Sequence, residues 1–252
     1  TYTVYVNGSA TTKTLTDSAS SVSLNYAVPT LYPAQDATDA FADTQLVLAF
    51  SDTPTLVADK TVTIYEGSGD SVATTETDTI SVNSASADEE QPAQSGQTVK
   101  VGNQQLVRVD GTTVYIQPHY NGTTSATKLQ TSTTYTVDVS EAIAVGSGYD
   151  GIMFPNGTTT WSFTTKAAPS LSTTMTVSNA TSGNSADFFS VYGALFAVTK
   201  NGSASTTYEI DIADGTYYEL LSITAKSNQT IILHGSDSNT KGDSVVIEYV
   251  NN

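Results

Sequence analysis

Residues 186–252 place one segment of helical spacing ahead of several short alternating segments, and that order constrains the fold more than anything else in the chain. Phe188, Val191, Tyr192, Leu195 and Val198 fall at intervals of three and four, which puts them on one face of a helix expected over about residues 187–199. Asp187 stands where an N-cap belongs, with a carboxylate able to accept from the free amides of the first turn. Beyond it, Ile210 and Ile212 alternate with Glu209 and Asp211, while Val245, Ile247 and Tyr249 share one face of the last segment. Period-two patterning between turn residues predicts strands. Periodicity alone leaves open whether they edge a sandwich or open a parallel β-helix.

The motifs inside this stretch narrow the choice. Ile-Asp-Ile-Ala-Asp-Gly-Thr-Tyr-Tyr-Glu (210–219), followed by Asn-Gln-Thr-Ile-Ile-Leu-His-Gly (228–235), resembles the start of a pectinesterase-type right-handed parallel β-helix. In that family a helix caps the solenoid, and a Gly-x-Tyr-x-Glu segment, matched by Gly215, Tyr217 and Glu219, leads into the first coils. The family's site of paired Asp, Gln and Arg comes from coils further downstream, and no position here matches any of the four. The resemblance therefore implies ancestry and a pectin-like polysaccharide as substrate class. It assigns no catalytic residue to this chain.

Earlier in the chain, Tyr2–Val6, the turn Asn7-Gly8 and a second alternating piece, Val22–Tyr26, read as a hairpin spanning residues 1–28, either the end of a preceding unit or, the favoured reading, an edge added to the unit that follows. Leu31-Tyr32-Pro33-Ala34-Gln35-Asp36-Ala37-Thr38-Asp39 and Trp161-Ser162-Phe163-Thr164-Thr165 resemble the opening and closing signatures of bacterial Ig-like modules of the S-layer Ig-like type. The resemblance implies a β-sandwich over residues 29–166. Strands are predicted at Val62–Tyr65, Val107–Val109 and Val114–Gln117, the last two joined by Asp110-Gly111, with Trp161 and Phe163 facing the core. Ser81–Gln105 reads as a long polar surface loop, and Lys166–Ser170 as the linker to the third unit, residues 167–252. The expected fold is all-β: a hairpin, an Ig-like sandwich, then a capping helix with the opening coils of a β-helix.

Charge excludes some partners. The chain carries 9 Lys and Arg against 25 Asp and Glu, a net charge of −16, so it repels nucleic-acid backbones and bare polygalacturonate alike. It has no cysteine, and no apolar run is long enough to span a membrane as a helix. Hydroxyl-rich composition without disulfides fits a secreted protein. Asp36, Asp39 and Asp43 in one expected loop, and Asp88, Glu89 and Glu90 in another, are oxygen-rich groups of the kind calcium uses, but no calcium-loop spacing is present and a solvated acidic face is the plainer reading. Asp211 and Asp214 are the only carboxylates spaced for paired catalysis, and Asp214 before Gly215 reads as a turn residue. His119 and His234 read as isolated imidazoles with no metal spacing. Tyr2, Tyr5, Tyr217, Tyr218 and Tyr249 are candidates for a sugar-stacking platform, against the duller reading that tyrosine suits half-buried strands.

Two functions follow as expectations, with a sugar-binding or adhesive surface module as a third reading behind them. One is the non-catalytic N-terminal portion of a secreted pectinesterase-like esterase, with the Ig-like module as spacer or stabiliser. The other is an extracellular filament subunit that self-associates by strand addition through its terminal strands.

Overall fold

The structure, a computed structural model, describes the chain except residues 1, 7–8, 16–22, 24, 68–74, 83–88, 92–98, 102–104, 122–124, 140–142, 147–148, 150, 155–156, 158–159, 222–224, 236–243 and 249–252. For residues 2–6, 9–15, 75, 89–91, 99–101 and 145 it describes backbone only. The described chain is all-β with a single helix.

Leu46–Ala49 lies inside a four-stranded antiparallel sheet, between Thr113–Ile116 and Thr30–Tyr32, with Val107–Asp110 at the far edge. Its first three residues are all buried, as expected of a strand covered on both faces. A five-stranded sheet runs in the order Ala37–Ala40, Thr160–Thr165, Thr134–Asp138, Thr61–Glu66, Thr75–Ser81, antiparallel except for its first pair. Trp161, Phe163, Tyr135 and Ile64 from this sheet share one buried cluster with Leu46, Leu48, Val114 and Ile116 from the other. Trp161 and Phe163 point inward, as their alternation with Ser162 predicts, and the Asp110-Gly111 turn does join two paired strands.

Three expectations from this half need correction. Tyr2–Val6 forms a hairpin, but its partner is Ser9–Leu15, and the pair is a two-stranded sheet of its own rather than an added edge. Ser9–Leu15 is rich in Thr, so a search for apolar alternation passes over it. Asn7, Gly8, Val22 and Leu24 lie outside the described residues, and Tyr26–Ala27 pairs in parallel with Gly151–Ile152. The stretch read as a polar loop begins in strand Thr75–Ser81 and contains an antiparallel pair, Glu89–Gln91 with Val99–Val101. Three-residue strands leave too little sequence for a period to register, and Asp88 is outside the described residues.

In the second half Thr174–Val177, Thr207–Ile212 and Thr230–Gly235 pair side by side in parallel, so that Met175, Ile210 and Leu233 stack in one row. Gly215–Tyr218 and Val245–Glu248 form a second parallel pair. Met175, Val177, Tyr208, Ile210, Ile212 and Tyr217 bury their side chains against Val191, Leu195 and Val198 of the helix, making a second cluster. Tyr249 is outside the described residues.

The helix is Val191–Asn201, and Ser190 is its N-cap, not Asp187. Ser190 Oγ accepts from Gly193 N at 2.9 Å. Asp187 is already committed elsewhere: its carboxylate accepts from Thr176 N and Thr176 Oγ1, which ties the approach to the helix against strand Thr174–Val177. A carboxylate occupied three residues upstream cannot reach the first turn, so the helix starts four residues later than the spacing suggests. At the other end Gln229 Nε2 donates to Val198 O and Ser203 O, and Lys226 Nζ to Lys200 O and Gly202 O. An ammonium at those free carbonyls suits the negative end of the helix dipole.

Candidate functional site

The first turn of a helix leaves four amides unbonded, and burial makes each of them costly unless an acceptor arrives. Here two carboxylates from different parts of the chain arrive. Asp43, in the turn between Ala37–Ala40 and Leu46–Ala49, accepts at Oδ2 from Phe189 N (3.1 Å), Ser190 N (2.8 Å) and Ser190 Oγ (2.8 Å). Glu219, just past strand Gly215–Tyr218, takes the next two amides: Val191 N at 3.0 Å on Oε1 and Tyr192 N at 2.6 Å on Oε2. Both residues are only 7% exposed. Gly193 is what lets Asp43 come so close, because a Cβ there would lie 2.1 Å from Asp43 Oδ2.

Aromatic and cationic groups seal the same junction. Phe189 lies between Tyr32 and Phe41, with ring centroids 5.4 and 5.9 Å away. Tyr192 meets Tyr120 edge-on at 4.8 Å. The Arg108 guanidinium sits between the rings of Tyr115, 4.0 Å away on its own sheet, and Tyr218, 3.6 Å away on the other side of the junction. Lys166 covers the Phe41 ring at 3.5 Å and donates to Ala186 O. The predicted linker is therefore anchored, with Lys166 N also donating to Ala40 O. A pocket of about 170 Å³ opens beside these groups, lined by Phe41, Asp43, Gln130, Lys166, Phe188 and Phe196 among others.

Burial sets the protonation behaviour. It pushes the Glu219 carboxyl from 4.5 up to about 7, against the pull of the two amides it accepts from, and the Asp43 charge adds to the rise. Asp43 is raised for the same reason, opposed by its bonds from Ser190 and Phe189. Desolvation lowers Lys166 and Arg108, partly offset by the acidic groups and tyrosines around them.

The residues singled out from sequence scatter. His119 is not isolated: its Nδ1 lies 2.7 Å from Asp78 Oδ1, and its backbone amide donates to Asp78 Oδ2. His234 is in a strand, with Nε2 2.8 Å from Asp211 Oδ1 and 4.0 Å from Glu209 Oε2 on the neighbouring strand. The Asp211 contact is close enough for an ion pair yet not aligned as a hydrogen bond. Asp214 occupies the bend before Gly215, apart from Asp211 in its strand. Of the tyrosine platform, Tyr217 is buried with its hydroxyl donating to Ala213 O, and the Tyr218 ring is taken by Arg108. The side chains of Tyr2, Tyr5 and Tyr249 are outside the described residues. The acidic stretch divides too: Asp36 accepts from Ser162 and Gln35, Asp39 belongs to a strand, and Asp43 is buried rather than solvated. Among the described residues no three His, Cys, Asp or Glu side chains converge as a metal site. No described helix is long and apolar enough to cross a membrane.

Sequence reasoning missed the junction. Ser190 three residues before Gly193 is a readable capping signal, but nothing local pairs Asp43 with a helix that begins almost 150 positions later. Among the described residues, fold and site define an all-β chain whose two larger buried cores are joined through a helix start capped by the carboxylates of Asp43 and Glu219. Comparison with protein families, with curated proteins and with solved structures finds no match.

Proposed function

We propose that the chain is a non-catalytic part of a secreted, pectinesterase-like carbohydrate esterase, in which an Ig-like sandwich docks on the capping helix and opening coils of a parallel β-helix. The observation that carries this reading is the register of three parallel strands, Thr174–Val177, Thr207–Ile212 and Thr230–Gly235, beside a second parallel pair. Parallel neighbours so close in sequence, with no helix after Asn201 among the described residues, are what coils of a solenoid supply. The Gly-x-Tyr-x-Glu segment also has a physical role at every fixed position. Gly215 adopts φ +155, with Asn179 Oδ1 only 2.8 Å from where a Cβ would stand. Tyr217 fills the core, and Glu219 caps the helix.

Support for the sandwich comes from Tyr135. It is the second residue of strand Thr134–Asp138, and its hydroxyl accepts from Gln130 N at 2.7 Å, the corner arrangement of Ig-type sandwiches. The Asp43 contact favours a stabilising partner over a loose spacer. On this reading the purified chain releases no methanol from methyl-esterified pectin, and turnover would overturn it.

A second reading, a subunit that self-associates by strand addition, draws on a different observation. Ile232, Val246 and Ile247, each about two-fifths exposed, lie on Thr230–Gly235 and Val245–Glu248, the outermost strands of the two parallel sheets. Open apolar edges of this kind accept another β-layer, from the same polypeptide or from a second copy. Light scattering separates the two: a 26.4 kDa particle is expected from the first reading, and concentration-dependent large assemblies from the second.

A further inference from the structure

Two carboxylates on one helix start are more negative charge than the place can neutralise. The helix end offers about half a positive charge, and the cation whose field reaches Asp43 is Lys166, itself partly desolvated. Around the pair stand further acids and phenols. Asp39 lies on strand Ala37–Ala40, Asp187 precedes the helix, and Tyr32 on Thr30–Tyr32 is raised by burial with Asp43 and Asp39 adding to it. Asp43 follows Ala40 of the first core, while Ser190 and Glu219 adjoin Val191 and Tyr217 of the second, so the two carboxylates meet only where the cores are docked.

Separated, Asp43 would sit in a solvated turn, and Glu219 would lose a like charge as neighbour. Docked, both are buried and repel, and the simplest relief is one proton shared by the pair. We propose that the junction is a proton-linked latch: seating the helix start on Asp43 takes one proton from solvent onto the Asp43–Glu219 pair, so the two cores are held more firmly in mildly acidic than in alkaline water. The sign follows from linkage. A carboxyl raised from 4.5 to about 7 contributes fully below the lower value, and that contribution is lost as pH rises through the upper one.

The test is a carboxyl-carbon NMR titration of the full chain labelled at Glu, with thermal unfolding from pH 4.5 to 8.5 and amide exchange at Phe189 and Ser190. One Glu carboxyl is expected to titrate near neutrality, to vanish in Glu219→Gln, and to move to lower pH in Asp43→Asn. Tm falls with rising pH in the wild type more steeply than in Glu219→Gln. Protection of the two amides, corrected for the intrinsic pH dependence of exchange, falls over the same range. If Glu219→Gln does not fold, the wild-type titration and the Asp43→Asn shift still decide. Every Glu titrating below about pH 5, equal slopes in wild type and variant, or pH-independent protection would each overturn the latch.

Discussion

Gly193 shows how one missing atom can position a whole contact. It is buried in the first turn of the helix, and its amide donates to Ser190 Oγ, which in turn donates to Asp43. Conformational freedom is not the point, since the residue is helical; the lack of a Cβ is. Alanine is the best helix former, so Gly193→Ala at an open position would gain about 1 kcal/mol. Here the added methyl would stand 2.1 Å from Asp43 Oδ2, and the carboxylate would have to withdraw. Phe189 N and Ser190 N would then be left without their acceptor, at about 1–3 kcal/mol for each buried group. The expected net result is a loss of about 2–4 kcal/mol, measured by denaturant unfolding, and a gain in stability would show that Asp43 does not hold the helix.

At the scale of elements, the chain was legible wherever a period ran long enough. Trp161, Phe163 and Ser162 announce a strand, and their burial alternates as the pattern requires. Ile210 and Ile212 do the same, and the helical face of Val191, Leu195 and Val198 is the face that packs. Legibility failed at ends and at pairings. The helix start is ambiguous in the sequence because Asp187 and Ser190 are both capping residues, and only the bond from Thr176 reveals that Asp187 is spent on another element. Glu89–Gln91 leaves no mark in the sequence because Glu-Glu-Gln carries no apolar alternation. Asp43 looked like one more surface acid, because a sequence shows a charge without showing what donates to it. The same blindness hid the partners of both histidines, Asp78 being 41 residues from His119.

At the scale of the whole molecule, the question is whether the two cores behave as one cooperative unit. The junction joins them by the three hydrogen bonds to Asp43, the Tyr32–Phe189 and Tyr120–Tyr192 ring pairs, and Arg108 between two tyrosines. Ring pairs contribute about 0.5–1.5 kcal/mol each, a cation over a ring about the same, and hydrogen bonds to a charged group about 1.5–3 kcal/mol. Together these reach several kcal/mol, a large fraction of the 5–15 kcal/mol or so that holds a typical domain. Neither core should open alone, so a single calorimetric transition is expected. The chain's one tryptophan, Trp161, is 1% exposed inside the first core and reports on that core alone. In the wild type its emission should therefore change together with the heat uptake. Asp43→Ala removes the hydrogen-bonded part of the coupling and leaves two amides of the helix start unsatisfied, a penalty that falls on the second core. The heat uptake should then split, with the second core melting first while Trp161 emission stays native until the later transition. Coincident transitions in Asp43→Ala would mean that the ring contacts suffice to couple the cores and that the carboxylate is dispensable to their docking.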